Sequence, residues 1–192
     1  MNAARRPRLV LLALFLLFLL PVLLAVAMHS IWWHHHPAGT RNHGVLLAPP
    51  VRLPMLAGTD PAGQPWTAAD LSGRWTLLGA GDRECAAHCP EWIDLLTRIR
   101  QAQGRRRAAV GIVILTPVSL PPPATGAASP GFLRIVTLPP DGMAALEQAL
   151  PAVPAIYLVD PEGNIILRYA ASPDPADPGR DLTRLLTWSR RE

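Results

Sequence analysis

The chain has 192 residues, 18 Lys+Arg against 14 Asp+Glu, and 49% hydrophobic residues. That length suits one domain with extensions, and the apolar content excludes a disordered chain, while two cysteines exclude a disulfide-stapled scaffold. Every cation is arginine, and setting aside Arg5, Arg6 and Arg8 leaves 15 arginines against 14 acids, so the net charge of +4 marks no nucleic-acid surface.

Residues 1–8 form a basic flank. Leu9 to Met28 follows without a charge. Twenty helical residues span about 30 Å, the thickness of a bilayer core. The arginines lie on its N-terminal side, which keeps that side cytoplasmic and exports the rest. Trp32 and Trp33 suit a lipid–water boundary. A single-pass anchor over 9–28 is therefore expected. A cleaved signal peptide is the alternative, because Ala25-Val26-Ala27 has the small-x-small form of a cleavage site. Either way the same domain leaves the cytoplasm.

Residues 29–52 read as an extended tether. The stretch through Pro54 holds four prolines and, with His29, five of the six histidines. His34-His35-His36 is a polar juxtamembrane run that could bind a transition metal weakly.

A compact domain is expected over 53–192. Arg74 to Ala80 reads as a buried strand. Pro90 to Gln103 reads as a helix, with Trp92, Leu95, Leu96 and Ile99 at helical spacing and Gly104 as its stop. Ala108 to Leu115 is an apolar strand. Pro117 to Gly131 is a loop by its Pro, Ala, Ser and Gly content. Phe132 to Leu138 reads as a strand and Asp141 to Leu150 as a helix. Ala155 to Val159 and Asn164 to Tyr169 form a hairpin about Asp160-Pro161-Glu162-Gly163. Ser172 to Gly179 reads as a loop and Asp181 to Arg190 as a closing helix. This order predicts an α/β layer fold, with a parallel core sheet and an antiparallel edge. Trp66 and Trp75 are candidates for packing. Arg105-Arg106-Arg107 is a solvated turn or a docking patch.

Cys85-Ala86-Ala87-His88-Cys89-Pro90 lies between a strand and a helix. A helix N-terminus offers unpaired amides and a positive dipole end, which favour a thiolate. Positions i and i+4 share a helical face, so the two sulfurs can meet or share a metal. Pro90 suits a first helical turn. Cys85, nearer the loop, is the expected attacking sulfur, and Cys89 the resolving one. His88 could tune the thiols or ligate a metal. Asp82 and Glu84 flank the pair. A static disulfide is the alternative, but a loop this short constrains the unfolded chain little.

The strand, Cys-x3-Cys-Pro, helix and later Val153-Pro154 before a hairpin resemble the thioredoxin superfamily. The three-residue spacer resembles the SCO/SenC branch, over residues 53 to 190. Two further stretches carry that likeness: Ile156-Tyr157-Leu158-Val159-Asp160-Pro161-Glu162-Gly163, and the short Asn42-His43-Gly44-Val45-Leu46-Leu47. The resemblance implies a membrane-anchored thioredoxin-like fold, held by the bacterial inner membrane with its domain on the periplasmic side. It implies a thiol-disulfide or copper role in assembling cytochrome c oxidase, with the subunit carrying the CuA site as partner. It also implies Pro154 as the cis-proline beside the reactive pair, and copper(I) on Cys85 and Cys89, with His88 as a further ligand. One departure matters. SCO proteins complete the copper site with a histidine shortly before the hairpin, and no histidine follows His88 here. Thiol exchange therefore stands ahead of copper carriage, and a non-catalytic scaffold binding an oxidase subunit stands third.

Overall fold

The computed structural model describes residues 10, 14–23, 26, 42–82, 85–120 and 132–188; the side chains of 85–88 lie outside that description. Two compact units divide at Thr40 and Arg41. In the first, residues 14–23 are helical with exposed side chains. Among the described residues, no helix is long and apolar enough to cross a membrane. The expected span 9–28 and the triplet His34–His36 lie partly or wholly outside them.

The second unit is a mixed sheet with helices on both faces. Its strands are β1 (Val45–Arg52), β2 (Ala57–Thr59), β3 (Pro65–Thr67), β4 (Trp75–Ala80), β5 (Val110–Thr116), β6 (Leu133–Thr137), β7 (Ala155–Val159) and β8 (Asn164–Tyr169). Its helices are α1 (Cys85–Ala102), α2 (Pro140–Ala149) and α3 (Ala176–Trp188). The order across the sheet is β1-β8-β7-β4-β5-β6-β2-β3. β4, β5 and β6 run parallel, and the other pairs are antiparallel.

Alternation along the central strands explains the two layers. Leu77, Ile112, Ile114, Ile156 and Leu158 face one core with α1 and α3. Leu78, Val113, Leu115, Tyr157 and Val159 face the other with α2 and Trp66. β4, β5 and β7 are buried along their whole length, as strands covered on both faces must be.

Three expectations change. Residues 45–52, read as tether, form edge strand β1 against β8. Pro49 and Pro50 have no N–H to donate, which an edge strand tolerates. The first helix starts at Cys85 rather than Pro90, so Pro90 lies inside it. There it omits only the bond four residues back, in the first two turns. The last helix starts at Ala176 within the expected loop, because the Asp174 carboxylate accepts from the Ala176 N–H at 2.9 Å. Arg105–Arg107 sit in a 3-10 helix, where Arg106 donates to Thr187 Oγ1 at 2.7 Å.

One buried carboxylate fastens the start of β1. Asp181 on α3 is only 2% exposed. Its Oδ2 accepts from the His43 N–H at 2.9 Å, the Gly44 N–H at 3.0 Å and the Tyr169 hydroxyl at 3.0 Å. A Cβ on Gly44 would stand 2.6 Å from the Tyr169 ring, so glycine is what lets the chain pass. Burial first, then the Asp181 charge and hydrogen bond and the Asp177 charge, push the Tyr169 phenol far above its ordinary value. A raised pKa stabilises the fold fully below the unfolded value, near 10, and that stability is lost as pH climbs toward the folded one. Thermal unfolding should therefore show a steepening alkaline loss above about pH 10. Tyr169→Phe should lessen that dependence and lower stability at neutral pH.

Candidate functional site

β4 ends at Ala80, buried beside Ala155 of β7. Five residues on, Cys85 opens α1, and Cys89 follows one turn later. Cys89 is wholly buried in the α1/α3 core. It is disulfide-bonded, and Cys85 is the chain's other cysteine. The side chains of Cys85 and His88, and residue Glu84, lie outside the described residues; Asp82 is half-buried.

α1 is seated on the sheet by Trp92, three residues after Cys89. A Cβ built on Gly79 would stand 2.9 Å from the Trp92 ring. The ring thus occupies the room left by the missing side chain on β4. Leu95, Leu96 and Ile99 continue the contact. The apolar spacing read in the sequence holds the cysteine-bearing turn against β4.

The other wall is the approach to β7. The Val153–Pro154 peptide is cis. Ala155 pairs with Ala80, so Pro154 stands one residue beyond the strand end from which the cysteine turn emerges. Tyr157 holds this approach: its hydroxyl donates to the Ala152 carbonyl and accepts from the Ala152 N–H at 3.3 Å. Burial raises the Tyr157 pKa, while the Ala152 bond and Arg168 oppose the rise. The family resemblance pointed to Pro154 and not to Tyr157, whose alternation marks only a strand position. The second cis peptide, Ala48–Pro49, lies on β1.

The donor set for copper(I) is limited. A disulfide-bonded Cys89 provides no thiolate. Reduction would free two sulfurs. No histidine follows position 88, and no group of three or more His, Cys, Asp or Glu is gathered for a metal among the described residues. The distal histidine of an SCO-type copper site therefore has no counterpart after position 88.

A family model described as "Transmembrane-like, thioredoxin-like, C-terminal domain" matches residues 75–189, more than half of the chain. The chain belongs to this family. No curated protein matches it. Solved structures share the thioredoxin-like fold of the family. BsSco, a member of the Sco family of cytochrome c oxidase assembly proteins with an identified disulfide switch, is 14% identical with a TM-score of 0.58, over 76% of this chain and 95% of that one. Yeast Sco1 with copper bound is 17% identical with a TM-score of 0.54, over 78% and 95%. The thioredoxin domain of a thiol-disulfide oxidoreductase from Bacteroides vulgatus is 17% identical with a TM-score of 0.51, over 70% and 95%. At these identities the likeness establishes the fold alone.

Proposed function

We propose that this family member is a membrane-anchored thiol-disulfide exchange factor that prepares a copper site of cytochrome c oxidase through Cys85 and Cys89. It would be held by residues 9–28 in the bacterial inner membrane, with its domain on the periplasmic side. The carrying observation is Cys89 itself: disulfide-bonded, fully buried, and one turn into a helix that follows a core strand. The position of Pro154, one residue before Ala155 at the strand end adjoining Ala80, supports the same reading. The BsSco disulfide switch is a precedent in the same fold.

In the reduced protein, the Cys85 thiolate attacks a partner disulfide and forms a mixed disulfide, expelling one partner thiol. Cys89 then attacks the Cys85 sulfur. The partner leaves as a dithiol and the Cys85–Cys89 bond forms, with two electrons and two protons passed to the partner. The test mixes reduced full-length protein with an oxidised oxidase subunit bearing the CuA cysteines. Alkylation and mass spectrometry should show subunit thiols gained in step with thiols lost from the pair. No transfer to that subunit sinks the oxidase role.

A second reading is copper(I) carriage on the same two sulfurs, favoured by the likeness to copper-bound yeast Sco1. His88 would be a third ligand. Protein purified reduced with copper(I) should then hold about one copper, lost in the double serine variant and unaffected by replacing His34–His36. Copper that persists without the cysteines excludes it.

A further inference from the structure

The end of the sheet opposite the cysteine turn is basic. Trp75 and Val110, the first residues of the parallel strands β4 and β5, are level with each other. The segments entering those strands therefore meet at one end, and they carry Arg74 and Arg105-Arg106-Arg107. Arg100 reaches the same end from the last turn of α1. Its Nε donates to the Val110 carbonyl at 2.8 Å, and its guanidinium carbon stands 3.8 Å from the centre of the Phe132 ring.

A hollow of about 380 Å³ opens between Arg74, Arg105 and Arg106, with the buried side chains of Trp75 and Leu186 in its walls. Among the described residues, no Asp or Glu lines it. Pro161 also lines it, but the acids on either side of that proline are directed elsewhere: Asp160 accepts from the backbone and side-chain amides of Asn164, and Glu162 lines a separate hollow with Arg52. Arg100, Arg105, Arg106 and Arg107 form no ion pair among the described residues.

Two of the three lining arginines are positioned by uncharged neighbours. Arg106 donates to Thr187 Oγ1 at 2.7 Å, and that hydroxyl donates in turn to the Thr183 carbonyl at 2.7 Å, which fixes its lone pairs toward the guanidinium. Arg74 lays its stem on Gly111, where an added Cβ would stand 3.0 Å from Arg74 Cδ. Burial first, then the charges of Arg107 and Arg74, lower the Arg100 pKa, so these guanidiniums act on one another. Like charges gathered around a hollow repel, and an anion seated among them relieves the repulsion.

We infer that this hollow binds a phosphate monoester, carried by a soluble small molecule or by a lipid. A guanidinium presents a planar fork of donors that grips phosphate oxygens in pairs. A monoester offers three free oxygens to the three forks, more than a carboxylate or a diester does. The six residues of β4 hold the site about 20 Å from the strand end that leads to Cys85, so its ligand and a protein at the cysteine pair can be bound together.

The test titrates full-length protein in a neutral maltoside detergent with inorganic phosphate, by calorimetry at constant ionic strength in chloride. About one phosphate should bind per chain, with glycerol 3-phosphate bound at least as well and the diester glycerophosphoglycerol about tenfold more weakly. Arg74→Gln, Arg105→Gln and Arg106→Gln should each raise the Kd about tenfold. Arg98→Gln, an exposed position of α1 outside the hollow, should leave it unchanged. Thr187→Val keeps the net charge but frees Arg106, and should raise the Kd about threefold. Dibutyryl phosphatidic acid carries the same monoester: tighter binding than glycerol 3-phosphate assigns the site to a lipid phosphate, and equal or weaker binding to a soluble one. Binding weakened as much by Arg98→Gln as by the hollow variants, unmoved by Thr187→Val, or equal for the diester is a diffuse charge effect and overturns the site. Hexaglutamate bound more tightly than phosphate assigns the patch to an acidic protein and overturns it as well. Folded protein, judged by near-ultraviolet circular dichroism, that binds no phosphate overturns it outright.

Discussion

With Cys89 replaced by serine, the chain is expected to hold its partner as a covalent complex. The reason lies in the order of the two sulfurs. Cys85 opens α1 next to the loop from β4, whereas Cys89 is wholly buried one turn deeper. A sulfur enclosed in the core is poorly placed to meet another protein. It is well placed to attack a mixed disulfide formed one turn away. Cys89→Ser removes that second step, so the mixed disulfide persists. Cys85→Ser removes the first, and exchange should fall to the uncatalysed rate. On a non-reducing gel from cells, the first variant should show a partner band that reductant dissolves, and the second should show none. Two variants behaving alike would contradict the assigned order.

The largest stability loss outside the pair is expected from Trp92→Ala. Trp92 is 5% exposed, and its ring sits over Gly79 where no side chain intervenes. Removing it empties the contact between α1 and β4 in the core cluster that also holds Cys89. Such truncations cost about 3–5 kcal/mol, against a total of about 5–15 kcal/mol for a domain. Chemical denaturation should show the midpoint falling accordingly with its slope kept. Gly79→Val should destabilise for the converse reason, since the ring and the new side chain cannot share the space. A loss below about 1 kcal/mol for Trp92→Ala would mean that the helix is held elsewhere.

The parts legible in the sequence are those whose signals are local. Residues 75–80 are nearly all apolar, follow Gly73 and Arg74, and form β4, a central strand. Asp160-Pro161-Glu162-Gly163 joins two apolar runs and makes the turn between β7 and β8; its Gly163 has a φ of 85°. The cis peptide at Val153-Pro154 was expected from the thioredoxin resemblance rather than from any local pattern. The missed parts depend on distant partners. β1 has two prolines and no clean alternation, and it becomes a strand only because β8 offers an edge. β2 and β3 have three residues each, too few for a period. The three donors on Asp181 come from β8 and from residues 137 and 138 positions earlier, and no local pattern reports that. Pro90 misled because proline is favoured at the first helical position, whereas here it is the sixth residue of α1, inside the helix.

These placements give the cysteine pair its meaning, and one titration tests it. Full-length protein is brought to equilibrium with glutathione buffers of graded reduced-to-oxidised ratio, from both directions. It is then alkylated, and the thiols of Cys85 and Cys89 are counted by mass spectrometry. An exchange pair follows the buffer through one reversible two-electron transition, with the domain folded on both sides of it. A pair that stays bonded across every buffer in which the domain is folded, or that opens only as the domain unfolds, is a structural disulfide and contradicts a redox function.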